Sequence, residues 1–403
     1  MKNMKRAASL LILPLFFLLS AAGVGRGQVS LDITRQAPPR LPVGLILPES
    51  LAEFNRVLEQ DLRWSGFFET RRLPAGSDWP AGLSVLRVAA AESGLRVMLV
   101  AGTPPVARLD RTYRLAASDE RALAHRVARE VIEELTGQSA VTESRIAAVR
   151  QEGKARELVI MDYDGANRKF LTSNGTLNLS PRFSPDGRSL IYTSFADYWP
   201  AIRRLTLAGG RVEKLAAYPG LNSAAAFSPD GRRLVLALSK DGNPDLYLLD
   251  LAGGGLKRLT NHPANDTSPV FFPDGKRLAF VSDRAGGPQI YRLELDSGRT
   301  ERLTFEGGYN TSPDISPDGR FLAYTSRQGG QFEIRILVLE SGRHHTVTSG
   351  AGSKEDPAFA SNSRHLVFVH TAKYRSELRL LDIFTGEDYK ITEDGGYRTP
   401  DWR

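Results

Sequence analysis

The sequence predicts an all-β six-bladed β-propeller at the C-terminus, preceded by a smaller N-terminal α/β domain, and three observations carry this reading. One structural unit recurs six times at a constant spacing of 44 residues, a period in the range of propeller blades. Each unit is centred on a turn: Phe183-Ser184-Pro185-Asp186-Gly187-Arg188, its copies beginning at Phe227, Phe271 and Ile315, and a fifth copy, Phe359-Ala360-Ser361-Asn362-Ser363-Arg364, that keeps the position but loses the Pro-Asp-Gly chemistry. The apolar positions hold the same phase, with Leu158, Ile202, Leu246, Ile290, Ile334 and Leu378 in one series and Leu171, Leu215, Leu259, Leu303, Val347 and Ile391 in the other. A turn motif alone could arise by chance; a second periodic set in fixed phase means identical supersecondary units.

The chain opens on a secretory signal pattern: Lys2, Lys5 and Arg6, then an apolar run over 10–19, then small residues. The run is too short, and too interrupted by Pro14, for a membrane span of roughly 20 residues. Cleavage is expected after Gly27, with a cut near Ala22 as the alternative, so residues 1–27 are assigned to the signal peptide and periplasmic export is expected. Their removal takes away four cationic residues and no acid, so the net charge falls from +7 to +3. A charge this small, without a Lys/Arg run, gives no reason to expect nucleic acid or an anionic membrane as a partner. The chain has no cysteine, which excludes a disulfide framework, a thiol nucleophile and an N-terminal lipidated Cys.

Residues 28–138 lack the 44-residue beat and read as the α/β domain. An extended start over 29–34 leads into a loosely held arm around Arg35-Gln36-Ala37-Pro38-Pro39-Arg40, then a strand over 43–47. A helix follows, with Ser50 and Glu53 expected as a capping box and Leu51, Phe54, Leu58 and Leu62 on one face. Strands are expected near 67–70, 84–90, 96–101 and 106–115. A second helix over 118–135 should stop at Gly137 as a C′ glycine.

Residues 139–403 form the propeller. In the unit around Phe271, alternation and breakers place strands over 269–272, 277–282, 289–295 and 301–304, the first two joined by a turn in which Pro presets φ and Gly accepts positive φ. The first unit lacks an innermost strand, and Pro400-Asp401-Trp402 repeats the Pro-x-Phe pattern at the far end. That segment is therefore expected to enter blade one and close the ring non-covalently, with Trp402 buried.

Repeat phase also points to a partner surface. Residues just ahead of each innermost strand are expected to rim one mouth of the channel: Asn178, Asn222, Asp266, Asn310 and Lys354, followed by Leu179, Ser223, Thr267, Thr311 and Glu355. The competing reading is turn chemistry, since Asn and Asp bond their own backbone. Long loops on the same face, 239–244 and 282–288, suit recognition. Asp186, Asp230, Asp274 and Asp318 lie on separate blades and cannot converge on one ion, so they are read as turn-shaping. His344-His345, just before a strand, lacks a third ligand at zinc spacing. No metal and no cofactor are expected. A peptidase would need a separate domain with a Gly-x-Ser-x-Gly elbow, which the sequence lacks; a propeller hydrolase would need His and carboxylates around a channel metal, and the inner ring offers one Asp and no His. The rival reading is thus a propeller hydrolase or a peptidase-associated propeller, and a non-enzyme is favoured.

Several segments resemble the TolB family of the Tol-Pal system: Pro42-Val43-Gly44-Leu45-Ile46, Asp61-Leu62-Arg63-Trp64-Ser65-Gly66-Phe67-Phe68, Leu135-Thr136-Gly137, Ser144-Arg145-Ile146-Ala147, Met161-Asp162-Tyr163-Asp164-Gly165 and Leu236-Ala237-Leu238-Ser239-Lys240-Asp241-Gly242. The resemblance covers nearly the whole chain after the signal. It implies a monomeric, non-catalytic periplasmic protein that supports outer-membrane integrity and constriction during cell division, with no direct membrane insertion. It further implies Pal lipoprotein at the channel mouth, through Asn178, Asn222, Ala224, Asp266, Thr267 and Asn310, and TolA on the arm, through Val29, Ser30, Leu31, Asp32 and Ile33. Some members are also exploited by colicin-type toxins. Leu221 stands where many members have His, which departs from the family at one mouth position.

Overall fold

The N-terminal domain is a five-stranded sheet under two helices. A computed structural model describes residues 39–403 apart from 81, 93 and 115–119; the expected signal segment and the arm residues Val29 to Ile33 lie outside the described residues. Strands β1 (Leu41–Ile46), β2 (Phe68–Arg72), β3 (Ser84–Ala91), β4 (Gly94–Ala101) and β5 (Val106–Tyr113) line up in the order β2-β1-β3-β4-β5. β1 runs parallel to both neighbours, and the remaining pairs are antiparallel. Helices α1 (Ala52–Trp64) and α2 (Glu120–Thr136) bury Phe54, Leu58 and Leu62 with Val127 and Val131 against Val43, Leu45 and Leu99 of the sheet, the one-sided apolar stripe expected of α1. No helix among the described residues is long and apolar enough to cross a membrane.

The capping box does not form. The N-cap is Leu51, without a side-chain cap, so Ser50 lies one position outside it, too far back to reach the first-turn amides. The Phe54 amide donates instead to the Glu120 carboxylate of α2 at 3.3 Å, and Glu53 pairs with Arg56 at 2.7 Å and Arg121 at 3.3 Å. At the other end of α2 the expected stop holds: Gly137, at φ +66°, donates to the Glu133 carbonyl at 2.9 Å.

Six four-stranded antiparallel sheets follow in ring order. In the unit around Phe271 the strands are Asp266–Phe271, Arg277–Ser282, Gln289–Glu294 and Thr300–Arg302. The innermost strand therefore begins three residues earlier than expected and the outermost ends two residues sooner. The early start follows from a bulge: the register shifts between Thr267 and Val270, with Ser268 at φ +49°, and a bulge lets a strand continue past the point where plain alternation fails. The Pro-Asp-Gly turns behave as read. Gly231 sits at φ +70°, and Asp230 accepts from Ser228 Oγ at 2.5 Å and the Arg232 amide at 3.1 Å.

The ring closes through the C-terminus. Tyr397–Trp402 pairs antiparallel with Arg145–Glu152 as the innermost strand of blade one, bracketed by mutual Arg145 and Arg403 backbone bonds of 2.7 and 2.9 Å. Trp402 is buried beside Ile146, Met161 and Tyr397, and its indole N–H donates to Ser144 Oγ at 2.7 Å.

Candidate functional site

The two faces of the propeller differ. Every innermost strand runs from one mouth toward the Pro-Asp-Gly turns, so those turns and the connections between third and fourth strands lie together at the opposite face. The N-terminal domain docks on that turn side, against blades six and one. Arg364, fully buried, donates to Asp382 Oδ2 at 2.5 and 3.0 Å and to the Gly66 carbonyl at 3.1 Å, with its guanidinium 4.0 Å over the Phe67 ring. Trp64 stacks on Tyr389 at 5.1 Å, and its carbonyl meets His365 Nε2 at 3.0 Å. His365 stays neutral there, because burial pushes it down to about 4. On blade one, Tyr163 donates to Asp61 of α1, whose other oxygen meets His125 Nδ1 of α2 at 2.7 Å. Burial raises the Asp61 carboxyl above its ordinary range. A family segment read from the sequence, 61–68, thus grips the propeller, together with Arg40 and Arg121, which pair with Glu387 and Asp164.

His125, Asp162 and Asp164 in this junction are the described residues that could hold a metal, with one ligand atom from each within 4.8 Å of the others. Arg121 already supplies a cation there, paired with Asp164 and 4.0 Å from Asp162. The turn carboxylates stay on their separate blades. His344 lies inside an outer strand, Arg343–Thr346, rather than before it, and its Nδ1 meets the Tyr324 hydroxyl at 2.8 Å.

The mouth away from the N-terminal domain carries the long loops, as expected, but the polar ring expected to rim it is placed differently. Asn178, Asn222, Asp266 and Asn310 are each 0% exposed. Their side chains hold the loops from beneath: Asn222 closes on the Tyr218 backbone at 2.6 and 2.9 Å, and Asn310 bonds Gln289 and the Glu306 carbonyl at 2.8 Å. Both Asp266 oxygens accept from one Arg284 nitrogen, Nη2, at 2.9 Å, and Lys354 is likewise buried on Glu333 at 3.0 Å. Thr267 is half-buried, and Ala224 lies on the channel wall.

The channel itself is lined two residues further along each strand, by Ser180, Ala224, Ser268, Ser312, Asp356 and Thr399. All six have positive φ, between +41° and +53°. Left-handed backbone at non-glycine residues costs about 1–3 kcal/mol each and gathers at functional sites. The bulge falls at these residues and presents them to the channel, while the residues two places earlier stay in register with the second strand and are buried. A recurring small residue before Pro181, Pro269, Pro313, Pro357 and Pro400 was the sequence signal for it.

Below this ring, Arg182 of blade two reaches across the channel. Its Nη1 donates to Asp401 of blade one at 2.8 Å and to Asp314 of blade five at 3.3 Å. Burial pushes the Asp314 carboxyl up to about 6. The second oxygens of these acids accept the Phe183 and Phe359 amides at 2.6 and 2.7 Å, so the cluster also ties blade to blade. The cavity above it holds about 90 Å³, room for a few waters and well under the roughly 300–1,000 Å³ of small-molecule sites. This mouth can seat a protruding side chain or backbone, not a metabolite. The surrounding loops expose Tyr198, Phe305 and Tyr374, residue types that carry binding energy at protein interfaces.

Comparison with known proteins agrees with this architecture. A family model described as the TolB beta propeller domain matches residues 132–403. The Tol-Pal system protein TolB of Paramagnetospirillum magneticum is 32% identical over 261 residues, 55% of this chain and 57% of that protein. That of Legionella pneumophila strain Philadelphia 1 is 33% identical over 234 residues, 52% of this chain and 55% of that protein. The aligned region thus spans a little over half the length of these curated relatives. The crystal structure of TolB from Acinetobacter baumannii superposes with a TM-score of 0.78 at 28% identity, over 91% of this chain and 97% of that one.

Proposed function

The chain belongs to the TolB family of the Tol-Pal system, and we propose that it works there as a non-enzymatic interaction protein of the periplasm. In this reading the propeller mouth holds the lipoprotein Pal and the N-terminal arm engages TolA, in support of outer-membrane integrity and constriction at division. The observation that carries it is the mouth itself: a strained ring on a rigid scaffold, open on the side away from the N-terminal domain, above a cavity too small for a metabolite. That same cavity size weighs against a hydrolase, and the charged groups beneath it are spent on one another. The protein is taken as a monomer without cofactor, with domains at 28–138 and 139–403, and with colicin-type toxins as further partners.

Within the Pal footprint, Ala224 and Thr267 are assigned to direct contact. Asn178, Asn222, Asp266 and Asn310 act one step back, holding the loops that Pal would meet. For the arm, Val29, Leu31 and Ile33 alternate with Ser30 and Asp32, the period of a strand that could add to a partner sheet.

Calorimetric titration with the Pal periplasmic domain tests the mouth. Thr267→Arg and Ala224→Arg are expected to weaken binding by about 1–3 kcal/mol or more while the protein still melts normally. Wild-type affinity in both variants would move the Pal site elsewhere. Removal of residues 28–33 is expected to abolish TolA binding and leave melting unchanged; TolA binding that survives the deletion refutes the role of the arm.

A further inference from the structure

The repeat gives each loop its own internal controls, and blade two departs from the next two blades at two places that adjoin. Its connection between second and third strands reads Phe195-Ala196-Asp197-Tyr198-Trp199-Pro200, where blades three and four have Ser239-Lys240-Asp241-Gly242-Asn243-Pro244 and Asp283-Arg284-Ala285-Gly286-Gly287-Pro288. Two large aromatics thus replace residues that suffice for the turn. Tyr198 is 91% exposed and Trp199 43%, and their rings meet edge to face at 5.0 Å. The Tyr198 ring is left almost wholly to solvent and that of Trp199 is only partly covered, an exposure that brings no folding benefit.

The second departure lies beside the loop. In blade three, Tyr247 packs in one cluster with Leu215, Leu236 and Leu256. The residues in the same phase one blade earlier are Leu171, Tyr192 and Val212, with Arg203 in place of the tyrosine. Arg203 does not fill that space: its guanidinium is drawn to Asp197 at 2.8 Å, and Asp197 is held in turn by Lys214 at 2.8 Å. An open groove of about 300 Å³ lies there instead, walled by Leu171, Tyr192 and Val212 and edged by Thr172, Asn174 and Arg203. Ala196, from the aromatic loop, completes the wall.

We propose that this groove and the Tyr198–Trp199 pair form a saccharide-binding site. A pyranose ring is apolar on its faces and hydroxylated around its edge. Apolar walls with exposed aromatic rings suit the faces, and the Asn174 amide N–H and the Arg203 guanidinium suit the edge, the Thr172 hydroxyl being taken up by Glu157 and the Leu158 amide. The volume lies at the lower bound of small-ligand sites, and the groove is open along the surface, so an internal stretch of a chain could pass through it.

The test is titration of the purified chain with chitotetraose, cellotetraose and tetragalacturonate, followed by tryptophan fluorescence and calorimetry. Saturable binding of at least one saccharide is expected. Tyr198→Ala and Trp199→Ala should each weaken it about tenfold without lowering the melting temperature. Arg203→Tyr, which restores the groove-filling residue of the next two blades, should abolish it while leaving Pal affinity at the mouth unchanged. Absence of saturable binding for all three saccharides at millimolar concentration overturns the proposal, as does binding that survives Arg203→Tyr.

Discussion

Deleting residues 397–403 should open the propeller. The segment is the innermost strand of blade one, and its loss removes Tyr397 and Trp402 from a cluster that also contains Ile146, Ala148, Met161 and Tyr163. Tyr397 is 0% exposed and Trp402 5%. Truncating a buried aromatic costs roughly 3–5 kcal/mol, so the two together account for roughly 6–10 kcal/mol before any ladder bond is counted. Asp401 leaves with them, stranding Arg182 in the channel beside Asp314 alone and freeing the Phe183 amide that ties blade two to the clasp. A loss of that size is comparable to the whole stability of an ordinary domain, about 5–15 kcal/mol. Urea unfolding followed by tryptophan fluorescence and far-UV circular dichroism should therefore show a propeller transition that is absent or moved to much lower denaturant. Trp402→Phe grades the effect: the ring is replaced but the bond to Ser144 is lost, a cost of about 1 kcal/mol. A truncated protein that unfolds at the same midpoint as the full chain refutes the split-blade account.

Three further outcomes follow from the same contacts. Asp266→Ala should destabilise the propeller by roughly 3–5 kcal/mol, because it leaves Arg284 unpaired beneath the loop; an unchanged melting temperature would return Asp266 to the exposed rim. Arg364→Ala should loosen the N-terminal domain from blade six, read as faster hydrogen exchange at Gly66 and Phe67 with the blade-three amides unaffected, and equal exchange in both proteins would contradict the latch. His365 is neutral when folded, with burial holding it at about 4 against about 6.5 when unfolded. Its contribution is present above the unfolded value and is lost as pH falls from about 6.5 through 4, up to roughly 3 kcal/mol. Stability measured across that window should drop less in His365→Asn than in wild type, and parallel curves would show that His365 is not the group responsible.

The sequence by itself determined the number of blades, the split closure and the turn chemistry, because each is a local or periodic property. A Pro-Asp-Gly turn needs only its own residues, and the 44-residue beat of Leu158, Ile202 and Leu246 survives any change of context. The clasp was legible as arithmetic, one missing strand at one end and one surplus strand at the other. The apolar stripe of α1 was legible too, although its start was not: which residue becomes the N-cap depended on Glu120, from a helix 66 positions away. The channel ring needed the tertiary structure most. Reading each innermost strand from Pro-x-Phe leaves Asn178, Asn222, Asp266 and Asn310 ahead of it at the rim; the strands instead begin at these residues, which are buried, and a one-residue bulge repeated in every blade presents Ser180, Ala224, Ser268 and Ser312 to the channel. Arg182 and Asp314, 132 residues apart, meet only because the ring places blades two and five opposite each other across the channel. Distance along the chain carries no record of that meeting, since the angle between blades is set by how their faces pack.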